Sequence, residues 1–514
     1  MPIPLFVKRL INATVYAYDP VAKNYERHAG LIVDGGHILS LDPAEAGAGV
    51  ETVDLRGAVV MPAFADCHVH LTDTGYMLGE RNLWPTRSYA EFAQAVGRLR
   101  NERYVCAGNY DESTWRDGGL ADARPLETHF PEAYAMLVRI DGHSSIVNRK
   151  TFGWLDFPDG TQGIEKDAGG SATGRLSLQA NWIAQARFFE ALPLREKRAA
   201  EGRAANLALS RGALHLHVQL VGFARDRYAG EIESLPSLAP AKWYPKICEP
   251  DAALARSLGL PFVGGDVFLD GSIGSCTAAV SQPFAIAVDG GTPGNGALRF
   301  SDDEVFAYLS EAHRLGIAAG VHAIGDRAIE QCIATWERVL GGAPSPQRHF
   351  IEHFEIATQD HIERCARLGI YLSMQPQFDL LWGGKGNMYD VRLGTARMET
   401  MNALARAQAA GAILCGGDDS PVCDLSPLTG MHAATHHHTP GESLTPEQAL
   451  TMYTYNAALF GHAEERTGRL APGYAADFAI LDRDPLNDGD FARASVLQTW
   501  SDGAVVFDSA ATAH

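Results

Sequence analysis

Eight short apolar runs, most of them ending in polar or titratable residues and separated by stretches long enough for a helix, constrain this chain more than any other feature of its sequence. In order they end at His68 to His70, at Asp141-Gly142-His143, at His215 to His217, near Asp266 to Asp270, at His322, at His353, at Gln375 and at Asp418-Asp419. Strands that alternate with helices pair in parallel, and eight of them is the count that closes a (β/α)8 barrel. Such a barrel needs roughly 250 residues. The 514 residues of the chain leave room for additions. The helical pieces fit. Ser301 caps a helix over 302–315, the amphipathic stretch 358–368 stops at Gly369, and Thr445-Pro446-Glu447 opens another.

The two ends read differently. Over residues 5–60, short apolar runs alternate with turn signals such as Asp34-Gly35-Gly36, and the tail repeats the style in Phe478-Ala479-Ile480-Leu481 and Ala504-Val505-Val506-Phe507. We therefore expect residues 1–60 and 463–514 to share one composite β-sandwich beside a body formed by 61–462. Within that body, about 75–134 and 148–211 are too long for simple connections between strand and helix. They are expected to be partly helical insertions covering the barrel mouth.

Composition removes several classes of function. Apolar residues make up 46% and charged residues 20%, as in an ordinary globular protein. With 43 Lys plus Arg against 62 Asp plus Glu, a formal charge of -19 repels a phosphate backbone, so nucleic acid is not an expected partner. Eight scattered cysteines without a CxxC pair point to a reducing compartment. The N-terminal residues lack a basic segment leading into an apolar stretch, and no run of about 18 apolar residues occurs. The expectation is a cytoplasmic protein without a membrane partner, and a homo-oligomer is compatible with everything in the sequence.

The local pattern with most chemical content is Asp66-Cys67-His68-Val69-His70. Residues two apart on a strand point the same way, so His68 and His70 can offer two imidazoles to one cation. An isolated pair of this kind reads first as two hydrogen-bonded core or surface histidines. Position changes that reading, because His322 and His353 also end apolar runs, and Gly417-Asp418-Asp419-Ser420-Pro421 puts carboxylates at the end of the eighth. Barrel enzymes carry their chemistry at this face. Four imidazoles and a carboxylate suit Zn2+ or a similar divalent ion better than Mg2+ or Ca2+, which prefer oxygen. Such an ion acidifies water and polarises a carbonyl, and a neighbouring carboxylate can move the proton. Asp419 is the candidate for that catalytic role.

Taken together, Met61-Pro62-Ala63-Phe64-Ala65-Asp66-Cys67-His68-Val69-His70, Asp141-Gly142-His143-Ser144-Ser145, Leu269-Asp270-Gly271-Ser272, Val321-His322-Ala323-Ile324-Gly325-Asp326, Ile351-Glu352-His353, Ser373-Met374-Gln375-Pro376 and Gly468-Arg469-Leu470-Ala471-Pro472-Gly473 resemble the amidohydrolase superfamily, and within it the amidohydrolase-3 or YtcJ-like branch. The resemblance implies a barrel with a composite β-sandwich and metal-dependent hydrolysis, usually of a C–N bond in a small molecule. It matches His68, His70, His322 and His353 to metal ligands and Asp419 to the aspartate of the eighth strand, around one or two divalent ions. Asp418 stands where the family usually has Ser, so that match rests on the spacing to Ser420-Pro421-Val422. In place of the lysine whose carbamate bridges two metals in relatives, this chain has Asp266. A carboxylate cannot form a carbamate. Asp266 is read with a lean towards a metal ligand, with a one-metal site or an outlying acid as alternatives. Phe378 stands where relatives tend to have histidine.

Four further residues are candidates for substrate contact: His143, His217, Trp115 and Phe378. For each the plain alternative is packing or loop anchoring. His436-His437-His438 is read as a solvated segment, since consecutive residues splay apart. Cys67 and Cys276 have no neighbour that would activate a thiolate. Two rivals stay open: a non-hydrolytic reaction on the same site, such as decarboxylation, and a metal-free binding relative.

Overall fold

Strands β1 (Lys8–Asp19), β2 (Asn24–Asp34), β3 (His37–Ser40), β4 (Glu51–Asp54) and β5 (Val59–Pro62) begin the chain. They belong to a computed structural model that describes residues 7–47, 50–220, 225–287 and 291–511. Residues 1–6, part of the N-terminal stretch assessed above for a leader, lie outside the described residues. The Asp34-Gly35-Gly36 turn joins β2 to β3 as an antiparallel pair, while β1 pairs with β2 antiparallel and with β4 and β5 in parallel.

Strand β6 (Phe64–Val69) is buried along its whole length. The chain then leaves the body and builds a separate sheet from β7 (Tyr104–Tyr110), β8 (Tyr134–Arg139), β9 (Ser144–Val147), β10 (Ile164–Lys166) and β11 (Ala172–Ser177), ordered β10-β11-β9-β8-β7. This corrects the sequence reading in two ways. The run ending at Asp141-Gly142-His143 is β8, which among the described residues pairs with β7 and β9 and with no strand of the body. The supposed two insertions are one layer with its own sheet and apolar cores, among them Phe92, Tyr110, Trp115 and Leu126. A continuous apolar run reports burial on both faces. It does not report which sheet provides the burial.

The body resumes at β12 (Ala213–Leu220), which pairs in parallel with β6 and with the short strands β13 (Lys242–Trp243) and β14 (Lys246–Ile247). These two short strands escaped the sequence reading because Tyr244-Pro245 interrupts them and neither is long enough to show a period. Next come β15 (Phe262–Phe268), β16 (Ala318–Ala323), β17 (Phe350–His353), β18 (Tyr371–Met374) and β19 (Leu414–Gly416), all parallel and hydrogen-bonded in chain order. Beyond β19 the chain returns to β6: the His70 amide donates to the Ser420 carbonyl at 3.0 Å and the Asp419 amide to the His68 carbonyl at 2.8 Å.

Helices lie between the parallel strands. Asp302–Leu315 starts in a capping box, with Ser301 accepting from the Glu304 amide and Glu304 from the Ser301 amide, and stops at Gly316 in the left-handed region. Gln359–Leu368 uses Thr358 and Gly369 in the same manner. In Asp326–Leu340, Ala328, Ile329, Cys332, Ile333 and Trp336 recur at helical spacing and are buried in the main core. At the end of the chain β20 (Phe478–Leu481) pairs antiparallel with β5, followed by β21 (Val496–Ser501) and β22 (Ala504–Asp508). Both ends thus contribute to one eight-stranded sheet, ordered β22-β21-β20-β5-β1-β2-β3 with β4 beside β1. Among the described residues no helix is long and apolar enough to cross a membrane.

Candidate metal centre

The end of β6 presents His68 and His70 side by side, with their Nε2 atoms 3.4 Å apart. Asp66, two residues earlier, accepts from the His68 and Asp418 amides at 3.0 Å each and so ties the first strand to the segment after β19. That segment holds Asp419 at φ 53, and β17 ends with His353 at φ 74. Both are non-glycine residues in the left-handed region, a costly backbone state that clusters at functional sites.

Asp266 reaches the same point because β15 is distorted just before it. Gly264 and Gly265 have φ 80 and 102, and pairing with β16 shifts register between Gly264 and Phe268. A Cβ on Gly264 would strike the Gly320 carbonyl, and one on Gly265 the Gln219 amide. The carboxylate of Asp266 then faces four imidazoles: Oδ2 lies 2.9 Å from His70 Nε2 and 3.3 Å from His68 Nε2, and Oδ1 lies 3.7 Å from both His322 Nδ1 and His353 Nε2. Asp419 Oδ1 lies 3.2 Å from both His68 Nε2 and His70 Nε2.

Two imidazoles are aimed by an acceptor on the outer nitrogen: His353 Nδ1 donates to Gln375 Oε1 at 2.8 Å, and His322 Nε2 donates to the Gly271 carbonyl at 3.2 Å. This fixes their tautomers and leaves the inner nitrogen with a lone pair, the arrangement of metal-binding histidines. His68 Nδ1 accepts from the Gln219 side-chain amide at 3.1 Å and lies 2.9 Å from Glu352 Oε2. Behind His68, Lys246 pairs with Glu352 at 3.0 Å; neither side chain is exposed to solvent. Sequence reasoning missed Glu352, Lys246 and Gln219. The first is next to a proposed ligand, the second lies on a two-residue strand, and the third lies beyond the point where the third run seemed to end.

The inner atoms converge without satisfying one another. Asp266 Oδ1, Asp419 Oδ1 and His322 Nδ1 are buried and have no hydrogen-bond partner among the described residues, although each lies within 4 Å of an oppositely polar atom. Buried polar atoms are rarely left so. Among the described residues, three groups bring ligand atoms within 4.8 Å of one another: His68, His70 and Asp266; His68, His353 and Asp419; and Asp266, His322 and His353. The donor set of ring nitrogens and carboxylate oxygens fits a borderline divalent ion.

Electrostatics agree. Burial works against charge on His68 and His70, yet Asp266 with Glu352 and Asp419 outweighs it at His68 and holds that ring well above the usual imidazole range, while Asp266 and Asp419 lift His70 to about 10. Burial, then the neighbouring His353, drops His322 to about 3. Burial raises Asp266 and Asp419, but the histidines outweigh it and hold both below the usual carboxylate range. The pocket is built for positive charge. By contrast Cys67 is buried and its thiol is held well above the ordinary range, so it is no nucleophile.

Of the substrate-contact candidates, His143 and Phe378 line the cavity above this cluster. His143 lies 5.2 Å from the rings of both His322 and Phe268, and burial lowers its pKa; Phe378 stacks on His353 with centroids 6.0 Å apart. The other two require correction. Trp115 packs in the core of the covering layer against Phe92, with centroids 5.2 Å apart, and does not line the cavity. His217 is sandwiched between Tyr244 and Phe460 at 4.5 and 4.9 Å, one layer below the cavity, because β12 runs on to Leu220 and gives the rim position to Gln219. The solvated reading of 436–438 is also corrected. His437 and His438 both face Asp379, and His437 is buried.

Asp418 points away from the cluster, accepting from Gln377 and from the Ser426 amide, which leaves Asp419 as the carboxylate that this segment turns towards the imidazoles. Comparison with known proteins follows the same line. The putative amidohydrolase YtcJ of Bacillus subtilis is 26% identical, over 93% of this chain and 94% of its own. The N-substituted formamide deformylase of Arthrobacter pascens is 25% identical, over 97% of this chain and 98% of its own. Among solved structures, an uncharacterized metal-dependent hydrolase from Pyrococcus furiosus superposes with a TM-score of 0.72 at 26% identity, covering 93% of this chain and all of that one. Residues 51–507 match the amidohydrolase family, and the chain belongs to that family of hydrolases.

Proposed function

We propose that this protein is a metal-dependent hydrolase that cleaves a carbon–nitrogen, amide-type bond of a small molecule in the cytoplasm. In this reading the two parallel sheets are halves of one (β/α)8 barrel spanning residues 61–462, the terminal segments 1–60 and 463–514 form the accompanying β unit, and the layer between β6 and β12 covers the mouth. His68, His70, Asp266, Asp419, His322 and His353 would hold two divalent ions, with Zn2+ the best match to the donors. One observation carries the reading: the two oxygens of Asp266 face two different groups of ligand atoms, Oδ2 towards His68 and His70 and Oδ1 towards His322 and His353. Asp266 would therefore do directly what a carbamylated lysine does in relatives.

Such an ion supplies Lewis acidity, which polarises a carbonyl and makes water acidic near neutral pH. The chain's own residues supply the rest. Asp419, a carboxylate at the cavity floor, takes the proton of the attacking water at its side-chain oxygen and returns it to the leaving nitrogen. His143 stays neutral beside His322 and offers a ring N–H to the substrate. Phe378 and the rest of the apolar wall exclude water from the reacting atoms. The name of the Arthrobacter pascens relative supports N-substituted formamides as the first substrates to test.

The test combines elemental analysis with an assay for amine release. Purified protein should hold about two divalent ions per chain in the coordination chemistry described here, release amine from an N-substituted formamide, and lose that activity on chelation and in Asp419→Asn. Carbon dioxide release with nitrogen retained would contradict the hydrolytic reading, and a chain that binds no divalent ion would contradict all of it.

A further inference from the structure

Among the described residues, four permanently basic side chains line the cavity: Arg139, Lys197, Arg198 and Arg299. Three of them are neutralised by the protein. Arg139 is gripped by Asp111, Glu112 and Asp141, Lys197 pairs with Glu231, and Arg198 pairs with Glu201. Arg299 differs: among the described residues no carboxylate pairs with it, and its neighbours are the rings of Trp182 and Phe268, each with its centroid 5.6 Å from the guanidinium carbon. Asp270, the one acid that opposes the effect of burial on Arg299, already accepts from the Ala279, Ile324 and Gly325 amides.

Aromatic rings engage the faces of a guanidinium and leave its in-plane N–H groups available. That plane is a fork matched to a carboxylate. The position of the fork is fixed at its base, where the Arg299 amide donates to the Leu269 carbonyl at 2.8 Å just beyond β15. It is also tied to the His and Asp cluster through a single ring: Phe268, which Arg299 approaches, lies 4.7 Å from the ring of His322.

We propose that Arg299 is the specificity-determining residue of this cavity and receives a carboxylate of the substrate, whose apolar body lies along Phe268 and Trp182 and whose scissile amide reaches the His and Asp cluster. The substrate class is an N-acyl amine with a carboxylate remote from the amide, about one six-membered ring away. This deepens the hydrolase reading above and rests on it only for the identity of the scissile bond.

The probes are 4-(formamidomethyl)benzoate and its neutral counterpart N-(4-methylbenzyl)formamide, titrated calorimetrically into metal-loaded protein. Wild type should bind the carboxylate probe about tenfold tighter or more, the ratio expected of a charge-assisted hydrogen bond. Arg299→Gln should abolish that preference while holding the neutral probe within about twofold of wild type, which also reports an intact cavity; Arg299→Lys should restore only part, having charge without the fork. Equal affinity of wild type for the two probes, no binding of the carboxylate probe, or a preference that survives Arg299→Gln would overturn the proposal. Binding preference with no amine release from either probe would sink the hydrolytic reading and leave the role of Arg299 standing.

Discussion

His68 is held from both sides. Its inner nitrogen meets Asp266 and Asp419, its outer nitrogen meets Glu352, and Glu352 in turn meets Lys246, whose ammonium lies 4.6 and 4.4 Å from the ring centroids of Phe350 and Phe460. The side chains of His68, Glu352 and Lys246 are closed off from solvent. Lys246→Met should destabilise the fold by about 3–5 kcal/mol in urea, because it leaves a buried carboxylate without its cation. Adding Glu352→Gln should recover part of that stability, since the second charge is then gone as well. Metal affinity should not recover with it: the double variant is expected to bind Zn2+ about 10- to 100-fold more weakly, because His68 has lost the neighbouring negative charge that raises its basicity. A competition titration with a chelating dye separates the two effects, and recovery of both together would deny Glu352 its positioning role.

At the scale of elements, the site depends on how β15 is bent. Gly265 holds φ 102 against the Gln219 side chain, and the bend carries Asp266 into the middle of the imidazoles. Gly265→Ala is therefore expected to fold with a cost of about 1–3 kcal/mol for its backbone strain and to lose at least one of the bound ions by elemental analysis. Full metal content in that variant would show that the bend is incidental. This element also marks the limit of what the sequence discloses. The candidate ligands His68, His70, His322, His353 and Asp419 are legible in the sequence because each ends a buried apolar run, and runs of that kind place their last residues at one rim. Asp266 was legible as an anomaly against the family pattern, and its orientation came only with the bend. The β8 run misled because its burial is supplied by β7 and β9, and β13 with β14 went unseen because two residues carry no periodicity. Trp115 and His217 were drawn towards the site by residue type, whereas their positions are set by packing in other layers.

Across the whole molecule, several histidines away from the metal centre are kept neutral by burial. His215 falls to about 4, His349 to about 3, and His217, with no hydrogen-bond partner for either ring nitrogen among the described residues, falls well below the ordinary range. In the unfolded chain each takes up a proton near pH 6.5, whereas the folded chain does not until far lower pH. Each such histidine therefore makes unfolding take up a proton between these limits and contributes a loss of about 1.4 kcal/mol per pH unit as pH drops below about 6.5, until its folded-state pKa is reached. Buried carboxylates that burial raises to about 7, Asp66, Asp270 and Glu355, contribute with the opposite sign, so the test is a difference: in urea denaturation from pH 7 to pH 5, His217→Phe should change the dependence of stability on pH by about one proton. A dependence unchanged in the variant would contradict the burial assigned to this ring.

The central claim is that Asp266 stands between two ions. Anomalous diffraction at the zinc edge from crystals of the metal-loaded protein tests it directly. The account predicts two peaks, one on the His68 and His70 side of the Asp266 carboxylate and one on the His322 and His353 side; a single peak not touching Asp266, or no peak among these residues, would contradict it.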